Sequence, residues 1–169
     1  MVVGSILLKT GKCGMLEKHL LIIAHAPSEN TKSLLDSTTR GAKSVKSDSV
    51  KISTRTPFEA EENDICGSQG IILLTTENLG YMSGALKDFF DRVYYPCLEK
   101  TQGLPYSLII RAGHDGTGTI RAVETITNGL RWRKVQEPLT CRGKWQSAFN
   151  NQCKEYGAAM AAGLDLGIF

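Results

Sequence analysis

The chain has 169 residues, 41% of them hydrophobic and 22% charged, with a formal net charge of +3. That length suits a single domain burying about 70% of its unfolded surface. The mild charge, with no dense basic stripe carrying interleaved aromatics, argues against nucleic-acid binding, and no apolar run approaches the roughly 20 residues of a membrane span.

In chain order, Leu20, Leu21, Ile22, Ile23 and Ala24 form an apolar run of strand length, ended by His25, Ala26 and Pro27. Residues 31–45 then read as a helix, with Leu34, Leu35, Thr38, Ala42 and Val45 on one side. Val50 to Ser53 alternates as a short second strand, and 59–68 reads as a short helix. Ile71 to Leu74 is a buried third strand that stops at polar Thr75, Thr76, Glu77 and Asn78, read as a loop. After it, Leu86, Phe89, Phe90 and Val93 fall on one helical face. A fourth strand at 106–111 ends in the Gly-rich stretch 112–118. Ile120, Val123, Ile126 and Leu130 mark the next helix, 134–139 is a weaker fifth strand, and 145–162 closes the chain as a helix.

Alternating strands and helices call for a parallel sheet covered by helices on both faces. Residues before Met15 do not fit the pattern, so 1–17 is read as an N-terminal extension, disordered or upstream of a start at Met15, and 18–169 as one domain. The first residues lack the long apolar core and cleavage site of a secretory signal, which favours a cytoplasmic setting. The five cysteines form no C-x-x-C, which speaks against a disulfide framework, a zinc site or a dithiol centre. Redox chemistry would then need a bound cofactor.

Ligands bind open parallel sheets at the carboxyl ends of strands. The first such loop, Ala26 to Thr31, opens a helix whose unpaired N–H groups attract phosphate. Ser28, Asn30 and Thr31 could add donors there, or Ser28 could simply be an N-cap. In a sheet ordered 2-1-3-4-5, this loop, the polar stretch at 75–82 and the Gly-rich loop at 112–118 converge on one edge. Poor in charge and rich in amide and hydroxyl groups, that edge suits a flat heterocycle better than a metal ion, and no metal site is expected.

Three segments carry a family resemblance: HAPSENT at 25–31, TTENLGYMSGALKDFFDR at 75–92 and AGHDGTGT at 112–119. They resemble the flavodoxin-like proteins, within them the NAD(P)H-dependent FMN and quinone reductases, over about residues 20–139. The resemblance implies a three-layer α/β sandwich with a five-stranded parallel sheet in the order 2-1-3-4-5. It implies FMN, its phosphate held by Ser28, Asn30 and Thr31. Thr76, Glu77, Asn78, Leu79, Tyr81 and Met82 would line the ribityl chain and isoalloxazine, with Gly113, His114 and Gly116 closing the other side. NAD(P)H would be a transient cosubstrate, consistent with the lack of a G-x-G-x-x-G motif after any strand. The partner would be a small electron acceptor such as a quinone; assembly as a homodimer or homotetramer is left open.

The individual residues carry alternatives. Asn78 also suits a turn, and Tyr81 is either a half-buried aromatic or a flavin or substrate contact. Tyr81 and His114 are the two catalytic candidates, His114 as a neutral-pH proton donor to a quinone. The Glu77 carboxylate is awkward beside a reduced, anionic flavin, so its backbone is expected to matter more. Other readings are a non-enzymatic electron carrier of the flavodoxin type, a phosphoryl-receiver domain and a partner module that binds no flavin. The first loop is shorter than the T-x-T-G-x-T loop of electron-transfer flavodoxins, and the net charge is positive; both disfavour the carrier. His25 and Thr75 stand where a receiver needs its acidic cluster.

Overall fold

A computed structural model describes residues 17–169. The elements are β1 (Lys18–Ala24), α1 (Glu29–Ser44), β2 (Val50–Arg55), α2 (Glu62–Cys66), β3 (Gly70–Asn78), β4 (Tyr81–Met82), α3 (Gly84–Cys97), β5 (Pro105–Ala112), α4 (Thr117–Gly129), β6 (Arg133–Lys134), β7 (Leu139–Arg142) and α5 (Ala148–Asp165). The main path of the sheet is β2-β1-β3-β5-β6, parallel throughout. That is the expected permutation, with two strands added: β4 turns back antiparallel on β3, and β7 pairs in parallel with β5.

Strand pleating divides the apolar runs between two cores. Leu21, Ile23, Ile71, Leu73, Leu108 and Ile110 pack with Leu86, Phe89, Phe90 and Val93 of α3 and Val123 of α4. Leu20, Ile22, Ile72, Leu74 and Ile109 face the other way, onto Leu34 of α1 and Met160 and Leu164 of α5. Central strands covered on both faces explain why these segments are continuously apolar and do not alternate. The sandwich has three layers.

On the second face α1 and α5 approach until their backbones touch. A Cβ at Gly41 would lie 1.9 Å from the Lys154 carbonyl oxygen, and one at Gly157 would lie 2.2 Å from that of Thr38. Two glycines therefore set how closely this layer can pack.

Some boundaries differ from those read in the sequence. The expected strand at 134–139 is strand only at its ends, in β6 and β7. Between them Pro138 has no N–H to give a ladder, although Val135 still donates to the Tyr106 carbonyl at 3.0 Å. The polar stretch 75–78 is not a loop but the end of β3, because Thr75 and Thr76 stay in register with Ile110 and Arg111. The helix expected at 59–68 is confined to α2, and Trp145 precedes α5, packing edge-on against Phe149 at 5.8 Å. The expected extension at 1–17 lies, save Glu17, outside the described residues. Among the described residues no helix is long and apolar enough to cross a membrane.

Candidate functional site

The carboxyl edge of the sheet is built on register. Ala24, the last residue of β1, pairs with Leu74, and the next residue, His25, donates its N–H to the Leu74 carbonyl at 2.9 Å. β3 continues four residues further, to Asn78. Its end therefore stands above the end of β1 as a wall, with the start of α1 at its foot.

That start is a capping box. Ser28 has extended backbone (φ −128°, ψ 162°), its Oγ accepts the Thr31 N–H at 3.3 Å, and its own N–H donates to Thr31 Oγ1 at 2.9 Å. The Thr31 hydroxyl is buried and donates to the Ser28 carbonyl at 2.8 Å. Ser28 and Thr31 thus satisfy each other and pin the helix start, while Asn30 is exposed. What remains for an anion is the helix N-terminus itself. The nearby cation, Lys32, is paired with Glu29 at 2.8 Å.

The wall is a two-residue hairpin. Leu79 (φ 53°) and Gly80 (φ 74°) form its turn, flanked by the pairs Asn78–Tyr81 and Glu77–Met82. Positive φ at both turn residues matches the twist of the strands they join. At its base the Thr75 hydroxyl donates to Ser83 Oγ at 3.1 Å, and the Ser83 N–H donates back to Thr75 Oγ1 at 3.2 Å. Ser83 Oγ also accepts the Leu86 N–H at 3.2 Å, so the closure of the hairpin also caps α3. Asn78 and Leu79 are exposed at the tip.

Met82, expected against the cofactor, is 2% exposed and packs in the core beneath α3, so its side chain faces away from this edge. Tyr81, 42% exposed, borders a cavity of about 460 Å³ with Lys87 and, from α4, Arg121, Ala122 and Thr125.

Glu77 joins the hairpin to the third loop. Its carboxylate accepts the backbone N–H of His114 at 2.7 Å and of Gly116 at 3.1 Å. The side chain thus holds the Gly-rich loop in place, a role the sequence did not announce. Gly116 is left-handed (φ 75°), and a Cβ there would come within 3.0 Å of Thr140 Cγ2. The Asp115 carboxylate accepts from the Thr117 N–H at 3.0 Å and hydroxyl at 2.7 Å; these bonds hold it below the usual carboxylate range. Gly118 then packs on the hairpin turn, where a Cβ would lie 2.0 Å from the Gly80 carbonyl oxygen. Gly113 and His114 are exposed above the loop.

Among the polar atoms buried without a hydrogen-bond partner in the described residues are His25 Nδ1, just past β1, and Thr76 Oγ1, near the end of β3, besides Thr119 Oγ1 in the first turn of α4. Burial holds the His25 imidazole below its ordinary value, so it is neutral at pH 7 and able to accept as well as donate. Unpaired buried polar atoms are costly in a native fold and point to a missing partner. Two uncharged groups beside a helix N-terminus fit a flat, polar heterocycle carrying a phosphate.

Sequence reasoning passed over Arg111. Its guanidinium donates to the carbonyls of Ala112 (2.7 Å), Cys141 (2.9 Å) and Gly143 (2.6 Å) and lies 5.8 Å from the Phe149 ring centre. It ties the end of β5 to β7 beneath the Gly-rich loop. An arginine closing an otherwise apolar strand was the available signal.

The fold is flavodoxin-like. A flavodoxin from the domain Archaea superposes with a TM-score of 0.73 at 15% identity, covering 86% of this chain and 98% of its own. A flavodoxin of Megasphaera elsdenii gives 0.68 at 15% identity over 85% and 98% of the two chains. A WrbA-like flavodoxin from Agrobacterium tumefaciens gives 0.67 at 13% identity over 86% and 96%. No family model and no curated protein matches the sequence.

Proposed function

We propose that the protein is an FMN-dependent oxidoreductase that takes hydride from NAD(P)H and delivers it to a quinone or another small acceptor. The observation that carries this reading is the unpartnered pair, His25 Nδ1 and Thr76 Oγ1, set between the α1 N-terminus and the loop held by Glu77. Bound FMN would supply the two-electron carrier that no side chain here provides. The start of α1, organised by Ser28 and Thr31 with Asn30 exposed beside them, would hold the phosphate. Thr76 and His25 would bond polar atoms of the cofactor, and the hairpin and residues 113–116 would flank its ring. His114, exposed on that loop, would give a proton to an acceptor, and Tyr81 would stand at the mouth, where donor and acceptor would enter in turn.

The visible spectrum of the purified protein titrated with FMN and with FAD tests the cofactor. FMN should bind more tightly, since the reading uses a single helix-terminal phosphate site among the described residues and would leave a second nucleotide unheld; equal or tighter FAD binding refutes this. Initial rates with NAD(P)H and a benzoquinone should give parallel double-reciprocal lines, the mark of a ping-pong cycle. Tyr81→Ala should change the Michaelis constants more than FMN retention. If FMN-loaded protein oxidises no NAD(P)H with quinones, flavins or dyes, the reductase reading fails and a non-enzymatic electron carrier takes its place.

A further inference from the structure

α4 packs on the hairpin turn with no side chain between them. A Cβ at Gly118 would lie 2.0 Å from the Gly80 carbonyl oxygen, so helix and turn meet backbone to backbone. The cavity of about 460 Å³ opens beside that contact, with Tyr81 from the hairpin, Lys87 from α3, and Arg121, Ala122, Thr125 and Ile126 from α4. A close backbone contact holds its walls together, which makes it a pre-formed pocket of small-ligand size.

Its floor and its rim differ in chemistry. Ala122 and Ile126 pack on the core and give an apolar floor, and the Tyr81 ring stands partly exposed beside them. Every charged residue of α3 and α4 except one is in an ion pair. Lys87 pairs with Asp91 at 2.6 Å, Arg92 with Asp88 at 2.9 Å, and Glu124 with Lys134 at 2.8 Å. Arg121 is exposed and has no carboxylate partner among the described residues. A free guanidinium beside an aromatic ring suits a phosphate monoester attached to a base: the fork grips the phosphate through parallel N–H bonds, and the ring stacks on the base.

We propose that this cavity holds the adenosine end of NADPH, adenine against Tyr81 and the apolar floor and the 2′-phosphate on Arg121, so that the protein uses NADPH in preference to NADH. The inference rests on the reductase reading. NADH carries a hydroxyl where NADPH carries that phosphate, and leaves Arg121 unpaired. The cavity lies to the side of the carboxyl edge, between the hairpin and α4, where it serves the far end of a long substrate better than a reacting ring. Binding energy at such a remote end positions the part that reacts. α1 packs on the opposite face of the sheet from α3 and α4, so an adenosine tethered through a phosphate at the α1 N-terminus, as in FAD, stands on the wrong side to reach the cavity.

Calorimetry on the purified full-length chain tests the site without turnover. Adenosine 2′,5′-bisphosphate should bind about tenfold more tightly than adenosine 5′-monophosphate, and Arg121→Gln should abolish that difference. Arg121→Lys should keep part of it, since an ammonium supplies charge without the fork. Tyr81→Ala should weaken both nucleotides alike, because the ring meets the base. Lys144→Gln removes the same charge from an exposed position beyond β7 and should leave the difference intact. On FMN-loaded protein, Arg121→Gln should lower the ratio of kcat/KM for NADPH to that for NADH by about tenfold. Equal binding of the two nucleotides, a difference that survives Arg121→Gln, or one that Lys144→Gln removes as fully, overturns the site. An unchanged kcat/KM ratio overturns its role in choosing the donor. If the bisphosphate binds as expected but loaded protein oxidises no NAD(P)H, the reductase reading fails and the nucleotide site stands.

Discussion

Leu79 holds a backbone conformation that suits asparagine or glycine far better. Its φ is 53° and its side chain is fully exposed, so it takes the strain of the hairpin turn and gives the core nothing in return. Left-handed backbone costs most residues roughly 1–2 kcal/mol, and asparagine tolerates it. Leu79→Asn should therefore raise unfolding stability by about 1 kcal/mol in a urea titration; an unchanged midpoint would mean that the turn is not strained. Glu77 has the opposite character, since one carboxylate satisfies two backbone N–H groups of another loop. Glu77→Ala should expose both, at a cost of about 1–3 kcal/mol locally. Hydrogen exchange at His114 and Gly116 should quicken while the central strands stay protected, and FMN affinity should fall with it. Unchanged exchange at those amides would remove the clamp from the account of the site.

At the scale of elements, helix contacts are decided by the absence of side chains. Gly41 and Gly157 let α1 and α5 meet backbone to backbone, and a carbonyl oxygen cannot move aside as the end of a flexible side chain can. Gly157→Ala should cost about 1–3 kcal/mol or more by forcing the pair apart, read as a lowered denaturation midpoint. Gly84→Ala is the control, because nothing lies within 4 Å of its would-be Cβ and the residue starts a helix. The boundaries that sequence periodicity misplaced have the same tertiary origin. Polar Thr75 and Thr76 remain in β3 because β5 pairs with them, and the fifth strand position is shared by two short segments because Pro138 interrupts the ladder.

For the molecule as a whole, histidine burial couples folding to pH. His25 is held below the ordinary histidine value by burial, and His19 by burial first and Lys51 second. The unfolded chain therefore binds protons more readily than the folded one in this window. The stabilisation is complete above the unfolded value near 6.5 and is lost as pH falls through the folded values below it. Urea titrations from about pH 7.5 to about pH 5 should show stability falling with pH, and His19→Gln with His25→Gln should flatten that slope. A flat profile in the parent protein would refute the coupling. Asp115 and Asp165, held low by hydrogen bonds from Thr117 and from Ser47 and Ser49, act only in the acid range below.

The strand order that brings three loops to the carboxyl edge came with the family resemblance, whereas periodicity and composition alone determined the alternation of strands and helices and a parallel sheet covered on both faces. The last two follow from local spacing, since apolar runs must be buried on both faces and parallel strands need helical crossovers. The tertiary structure alone decided which groups at that edge are free. Ser28 and Thr31 spend their hydroxyls on each other, Met82 turns into the core, and Glu77 reaches across to His114 and Gly116. A strand or helix records its own burial in the period of its residues, but contacts between residues far apart in the chain exist only once the sheet sets their register.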